Sequence, residues 1–310
     1  MPPWSKSIAN HTANGIVCQL LAFFLESSII RFMEQGESVV RPVRVSWKWG
    51  VYIVAGLLLL AWLLKTPAGI LGKADAVGYA VCHRIDVRSF HIGVRQMPLC
   101  ARCTGQYLGA MLGLVYQFMS GRRRTGAPPK RVIGVLFLFL LAFAIDGLNS
   151  YLHLPPLLKL FPDLPRLYEP SNVLRLFTGT GMGLVISAAL YPAFIGTIYK
   201  EIESKPALSG LRSLLLLTIL ALLVDLLVLT DIQAILIPAA LISAGGVLIL
   251  LTMVYAIVWL MIFHQENRFN SVFQILLPLT SGFIVALSQI AVFDIIRYFL
   301  TGTWGGFVFG

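Results

Sequence analysis

Residues 82–105 read CHRIDVRSFHIGVRQMPLCARCTG, and the rest of the chain is arranged around this stretch. It holds three of the four cysteines in the chain, two of the five histidines and four arginines. The sequence on either side is mostly apolar. Groups that can carry chemistry are therefore concentrated in one polar segment between apolar ones. This predicts a site held in place by membrane helices.

The composition is typical of an integral membrane protein. Of the 310 residues, 57% are apolar and 12% are charged, whereas charged residues make up about a quarter of a soluble domain. The formal net charge is +10. Because the cations flank apolar segments, we attribute them to membrane topology and to contact with anionic lipid headgroups rather than to nucleic acid. We predict no separate soluble domain and, from residues 1–14, no cleavable signal peptide.

Seven apolar segments approach or exceed the length of about 20 residues that a membrane-spanning helix needs. The predicted fold is therefore all-α, a polytopic transmembrane helical bundle. The spans are expected at about residues 47–64, 104–119, 132–152, 172–199, 211–230, 232–263 and 272–300. The sixth is too long for one straight crossing, and Pro238 predicts either a bend in it or a short interfacial segment before it.

The chain before the first span has a different pattern. Residues 16–33 place polar and apolar side chains on opposite sides of a helix, which predicts an interfacial amphipathic helix. Cys18 lies in this segment and is interpreted as a packing residue. The predicted organisation is an N-terminal segment, 1–46, a four-span core, 47–200, and a three-span C-terminal extension, 201–310.

Glycines in two of the spans predict a close helix contact. Gly105, Gly109 and Gly113 recur every fourth residue in the second span, so they share one helix face. Gly179 and Gly183 do the same in the fourth span. Small residues let helix backbones approach closely in a membrane. We therefore expect these two faces to meet.

The alternation of spans predicts which segments share a side of the membrane. The basic segments 41–48, 121–131 and 200–212 fall on one side, which should be the cytoplasmic one. The cysteine segment would then be extracytoplasmic, in the cytoplasmic membrane of a prokaryote. That segment is itself basic, so either its cations are committed to a folded site or the orientation is inverted. In both cases Asp146, Asn172 and Arg175 should lie at the same face as the cysteines.

The cysteines predict a metal site with three alternatives left open. Cys82, His83, Cys100 and Cys103 supply the ligand set of a zinc ion, and iron is not excluded. Side chains of neighbouring residues usually diverge, so His91 or a water molecule is an alternative fourth ligand to His83. A redox-active pair of Cys100 and Cys103 and a structural disulfide from Cys82 to one of them are the other interpretations.

Arginine and carboxylate side chains predict recognition of an anion next to the cysteines. Asp146 and Glu169 are the candidate catalytic carboxylates. The candidate substrate-binding residues offer guanidinium or amide groups for phosphate or carboxylate: Arg84, Arg88, Arg102, Asn149, Asn172 and Arg175. The alternative is that the arginines pair with Asp86, Asp146, Glu169 and lipid phosphates, and that Asp146 bonds to Asn149 or Arg175.

These motifs resemble a known family. The patterns C-H-R-x3-R-S-F, Q-M-P-L-C-A-R-C-T-G, D-G-x-N and E-P-S-N-x-x-R resemble an uncharacterised prokaryotic family of predicted integral membrane proteins, classed as a domain of unknown function. The resemblance covers about residues 50–190. Asn149 stands where the family pattern has glutamine, and residues 200–310 are an addition to the core. The resemblance implies the fold and the membrane location and implies no activity.

Two classes of function fit these features. In the first, an enzyme holds zinc near the arginines and acts on an anionic, lipid-linked substrate, with Asp146 or Glu169 handling the proton. In the second, a non-catalytic subunit or transporter of a membrane complex uses the metal or disulfide to staple a loop. A zinc ion with four protein ligands would be structural, and one with an open position would be catalytic.

Overall fold

The computed structural model describes residues 45–121, 123–161, 163 and 165–305. The predicted interfacial helix at 16–33 and Cys18 lie outside these residues. The described chain is all-α in class, as predicted, and its helices in chain order are α1 Val45–Lys65, α2 Ile70–Val81, α3 Ala101–Ser120, α4 Lys130–Leu152, α5 Pro155–Leu160, α6 Asn172–Ile198, α7 Leu211–Val228, α8 Gln233–Ile262 and α9 Leu276–Thr301.

Four short strands complete the described part of the chain. β1 (His91–Ile92) and β2 (Arg95–Gln96) form an antiparallel hairpin inside the cysteine segment. β3 (Arg124–Gly126) lies in the connection from α3 to α4, and β4 (Glu203–Pro206) lies in the connection from α6 to α7. The two strands pair in parallel. Each pair therefore fastens connections at one end of the helices.

Six of the described helices, namely α1, α4, α6, α7, α8 and α9, are long and apolar enough to cross a membrane. The remaining predicted span is α3, which has 20 residues and is more polar. Its contacts explain this difference. α3 packs on α6 and α8, and its polar residues Thr104 and Gln117 are at most 1% exposed. A helix enclosed by other helices does not need an apolar surface for lipid.

The predicted glycine contact is confirmed. A methyl group added at Gly179 would lie 2.1 Å from the carbonyl oxygen of Arg102, and one at Gly183 would lie 2.2 Å from that of Gln106. On the α3 side, a methyl group added at Gly109 would lie 2.5 Å from the carbonyl oxygen of Thr180. The α3 and α6 backbones thus touch along several turns, and this seam fixes where the first residues of α3 lie.

Two details differ from the sequence-based expectations. Residues 70–81, which lie between the first two predicted spans, form a further helix, α2, whose small residues bury one face against α8 and α9. α3 begins at Ala101 rather than Thr104, so that Cys103 is helical. α8 is a single helix of 30 residues that includes Pro238. Pro238 is its sixth residue, so its missing N–H leaves the carbonyl of Ala234 without its usual helical donor.

The two ends of the described bundle carry different connections. At one end Arg124 lies 3.4 Å from Glu203, and the backbone N–H of Lys200 donates to Phe269. The cysteine segment, the start of α6 and the end of α9 gather at the other end. The grouping predicted from the alternation of spans is therefore found in the structure.

Candidate metal centre and its polar surroundings

A glycine in α2 brings the first two cysteines together. α2 ends where the backbone N–H of Cys82 donates to Gly78 at 2.8 Å. A methyl group at Gly78 would lie 1.9 Å from the carbonyl oxygen of Pro98. The segment leading to Cys100 can therefore rest directly on the last turn of α2. As a result, the backbone N–H of Cys100 donates to the Cys82 sulfur at 3.3 Å.

The sulfur atoms of Cys82, Cys100 and Cys103 lie within 4.8 Å of one another. All three are free thiols, so the described residues contain no disulfide among them. A tetrahedral zinc ion with sulfur at about 2.3 Å needs sulfur atoms roughly 3.8 Å apart. The cluster thus needs only a small contraction to hold an ion, and burial of Cys82 and Cys100 encloses it.

His83 stands beside this cluster rather than within it. Its Nδ1 lies 3.7 Å from the Cys82 sulfur, yet the set of ligand atoms within 4.8 Å of one another consists of the three sulfurs. Burial lowers the pKa of His83, so its imidazole is neutral near pH 7. His91, the alternative ligand, instead lies 2.9 Å from Asp86.

The three thiols share negative charge unequally. Hydrogen bonds from the Cys103 and Cys82 thiols hold the pKa of Cys100 well below its usual value. The Cys100 sulfur in turn raises the pKa of Cys82 to about 12. Cys100 also precedes the first turn of α3, where the helix dipole favours a thiolate. A divalent cation would favour ionisation of all three.

A strained turn holds the Cys82 sulfur in place. Arg84 has a φ of +50°, a conformation that costs a residue with a side chain about 1 kcal/mol. In this turn the backbone N–H of Arg84 donates to the Cys82 sulfur at 3.4 Å, and its carbonyl accepts from Gln96 at 2.9 Å. The Arg84 guanidinium pairs with Asp75 at 3.1 Å. Arg84, a candidate anion-binding residue, is therefore occupied within the fold.

Arg102 and Asp146 form a buried ion pair between α3 and α4. The Asp146 carboxylate also accepts hydrogen bonds from the Tyr168 hydroxyl at 3.0 Å and the Thr178 hydroxyl at 3.1 Å. The expectation that Asp146 bonds to Asn149 or Arg175 is thus wrong, because the glycine seam places Arg102 next to it. Asp146 is 1% exposed, and these bonds fix its orientation.

The remaining predicted polar residues have different surroundings. The Asn149 amide donates to the Tyr168 carbonyl at 2.8 Å and accepts from the Leu167 N–H at 2.9 Å, so it tethers the connection between α5 and α6. Asn172 donates to the carbonyl of Val87 at 3.3 Å and joins α6 to the cysteine segment. Glu169 is exposed and lies 3.9 Å from His153, outside the buried cluster.

Arg88 and Arg175 are buried, and neither forms an ion pair with a carboxylate among the described residues. Arg88 donates to the Ser150 carbonyl at 2.9 Å, and Arg175 donates to the Asn172 side chain at 2.8 Å. The Nε of Arg175 is buried and makes no hydrogen bond with the described chain. Burial, and then the charge of Arg102, lowers the pKa of Arg88. The alternative pairing with Asp86, Asp146 or Glu169 is not found for these two arginines.

Arg297 of α9 holds the backbone that leads into the cysteine segment. Its guanidinium donates to the carbonyl oxygens of Tyr79 and Cys82 at 2.6 Å each and to that of His83 at 3.2 Å. It also lies 4.0 Å from the centre of the Tyr79 ring. Neither these contacts of Arg297 nor the part played by Asp75 was predicted from the sequence.

The described site falls within a region shared with other proteins. Residues 82–189 match a family described as predicted membrane protein (DUF2085). An uncharacterised protein of Methanocaldococcus jannaschii is 31% identical over 129 residues, which is 41% of this chain and 72% of that protein. An uncharacterised protein of Methanothermobacter thermautotrophicus is 35% identical over 108 residues, 34% of this chain and 82% of that protein. No solved structure matches the chain.

Proposed function

This chain belongs to the DUF2085 family of predicted membrane proteins, and we propose that it binds one zinc ion at Cys82, Cys100 and Cys103 and an anionic substrate beside it. The observation that carries the proposal is the cluster of three free thiols within 4.8 Å of one another. Zinc is preferred because it favours tetrahedral thiolate sites and needs no redox partner.

The fourth position of the ion is assigned to water or to an oxygen of the substrate. Three sulfurs leave one tetrahedral position without a sulfur ligand. His83 lies 3.7 Å from the Cys82 sulfur but is not part of the set of ligand atoms that all lie within 4.8 Å of one another. An ion of this kind supplies Lewis-acid chemistry when bound. The chain's own residues keep the surroundings ordered, because Asp146 orients Arg102 and Asn172 orients Arg175.

Charge supports the anionic part of the proposal. Zinc with three thiolates carries one net negative charge, whereas Arg88 and Arg175 carry two positive charges that no described carboxylate neutralises. A buried charge without a partner is costly. An anion next to the metal would balance the excess. Guanidinium groups are well suited to phosphate or carboxylate.

Metal analysis of the purified full chain tests the proposal. About one zinc per chain is expected, and Cys100→Ser or Cys103→Ser should release it. Cys18→Ser is the matched control, because Cys18 lies outside the described residues, and this variant should keep the zinc. His83→Ala should also keep the zinc. Absence of metal with all thiols free would contradict the site, and iron in place of zinc would change the assigned ion.

A second candidate is a non-catalytic role, as a subunit or transporter of a membrane complex. It is favoured by the position of the cluster, which joins the end of α2 to the start of α3. In that case the metal only staples the segment. Loss of zinc in His83→Ala would support this candidate, since four protein ligands make a closed, structural site.

The proposed location is the cytoplasmic membrane of a prokaryote, with the metal centre on the extracytoplasmic side. The cations of the cysteine segment are largely committed to the fold, because Arg84 and Arg95 both pair with Asp75. Val94→Cys, at a fully exposed position, should react with an impermeant maleimide in intact cells. Glu201→Cys, at the other end and with an exposed side chain, should react only after lysis. The reverse pattern would invert the orientation.

A further inference from the structure

A groove runs between α4, α6 and α7 on the outer surface of the helices. Its volume of about 300 Å³ is at the lower end of the range for ligand cavities. Its walls are mostly apolar. Ala142 and Leu222, both exposed, line its opening. Gly181 keeps it wide, because a methyl group there would approach Phe139 to 3.3 Å. The groove therefore opens where lipid chains surround the helices.

The groove ends at the buried ion pair. Thr178 lines the groove and donates to the Asp146 carboxylate at 3.1 Å. Asp146 follows Ala142 by four residues, so it lies one turn of α4 closer to the cysteine face. The guanidinium of Arg102 is also near this end, 5.8 Å from the ring centre of Phe143. Thr178 thus connects the apolar lining of the groove to the buried ion pair.

The two arginines without carboxylate partners lie just beyond that end. Arg175 precedes Thr178 by one turn of α6. Arg88 donates to the carbonyl of Ser150, which follows Asp146 by one turn of α4. Each arginine is less than a tenth exposed, and the Nε of Arg175 makes no hydrogen bond within the described chain. Along both helices the order is therefore apolar groove, ion pair, and then uncompensated positive charge.

This order matches the order of parts in an anionic lipid. We infer that the substrate of this site is a lipid with a phosphate headgroup, whose headgroup contacts Arg88 and Arg175 and whose hydrocarbon chain lies in the groove. The inference rests on the anionic-substrate part of the proposed function and adds the chemical class. A soluble anion would satisfy the arginines but would leave the adjoining groove unused.

A second groove provides an internal comparison. It has a volume of about 470 Å³ between α1, α8 and α9 and is lined by residues such as Gly50, Val54 and Val285. Neither groove is lined by a charged residue among those described, and the difference lies in what the lining contacts. Ser281 of the second groove donates to the backbone carbonyl of Leu277, whereas Thr178 of the first donates to the Asp146 carboxylate. Ordinary bilayer lipid should enter both grooves. Only the first should prefer an anionic headgroup.

The test uses the full chain in lipid nanodiscs with a photoactivatable phosphatidic acid, and with the matching phosphatidylcholine as the neutral probe. The phosphatidic acid should crosslink to groove residues such as Ala142 and Leu222 more than to Val54. Ala142→Trp should reduce this labelling roughly tenfold, which is the effect of losing contact with about two methylene groups. Ala144→Trp, exposed on the same helix but outside the groove lining, should leave it unchanged.

Headgroup recognition and folding are measured in the same samples. Arg175→Gln should remove the preference for phosphatidic acid over phosphatidylcholine. Zinc content and a single elution peak show that each variant is folded. Equal labelling by both probes, equal labelling of both grooves, or full labelling of a folded Ala142→Trp would overturn the inference.

Inorganic phosphate separates this inference from the proposed function. If zinc is present and phosphate binds with Arg175 dependence while phosphatidic acid shows no preference, the lipid inference fails and the anion site stands. If zinc is absent and neither phosphate nor phosphatidic acid binds, the proposed function fails as well.

Discussion

The seam between α3 and α6 predicts that one added methyl group will disturb the metal centre. In Gly179→Ala the new Cβ would lie 2.1 Å from the carbonyl oxygen of Arg102, whereas real Cβ contacts are essentially never shorter than 3.0 Å. The helices must separate by about 0.9 Å, and overpacking of this kind costs about 1–3 kcal/mol. Because Cys103 follows Arg102 directly, it would move relative to Cys82, which α2 holds. We expect weaker folding and a zinc affinity lower by roughly tenfold or more.

Two measurements on detergent-solubilised protein check this prediction. Thermal unfolding reports the packing cost, and competition with a chelator reports the zinc affinity. Gly134→Ala is the matched control, since a methyl group there has no neighbour within 4 Å. Alanine is favoured over glycine in a helix by roughly 0.5–1 kcal/mol, so the control should be unchanged or slightly more stable. Unaltered unfolding and zinc affinity in Gly179→Ala would refute the reasoning.

Three further substitutions have definite expectations. Arg102→Leu leaves the Asp146 carboxylate buried without its ion-pair partner and should lower the free energy of unfolding by about 3–5 kcal/mol, seen as a lower unfolding temperature. The double variant Arg102→Leu with Asp146→Leu should lose less stability than the sum of the two single changes. Arg297→Met removes three hydrogen bonds to backbone carbonyls next to the cysteines and should lower zinc affinity roughly tenfold in the chelator assay. Arg175→Leu should abolish binding of inorganic phosphate without lowering the unfolding temperature, because it removes a buried charge; Asp163→Ala, at an exposed position, should change neither quantity.

Much of the architecture could be predicted from the sequence because it follows from regular spacing. The glycine contact rests on the repeat of four residues in α3 and α6, which any straight helix converts into a face. The grouping of the cysteine segment with Asp146 and Arg175 needs only alternate crossings of the membrane. Both expectations hold in the structure, since neither depends on the detailed path of a side chain.

The pairing of individual side chains could not be predicted in the same way. Asp146 had several arginines within plausible reach, and its choice of Arg102 depends on the register of α3 against α4. α2 could not be recognised from the sequence because its 12 residues are too few to span a membrane and its small residues give a weak helical pattern. Without α2, neither Asp75 nor the contact at Gly78 was placed near the cysteines.

The hydrogen bonds from Arg297 have a consequence for the time course of biosynthesis. Cys82 is made 215 residues before the arginine that holds its carbonyl. At 5–20 residues per second, translation leaves the cysteine segment without this anchor for about 10–40 s. During that interval the thiols are positioned by α2, by the turn at Arg84 and, once α6 is made, by the α3–α6 seam. A metal ion captured then would join a centre that the last helix tightens afterwards, whereas an oxidant arriving first would meet thiols that are not yet fully enclosed.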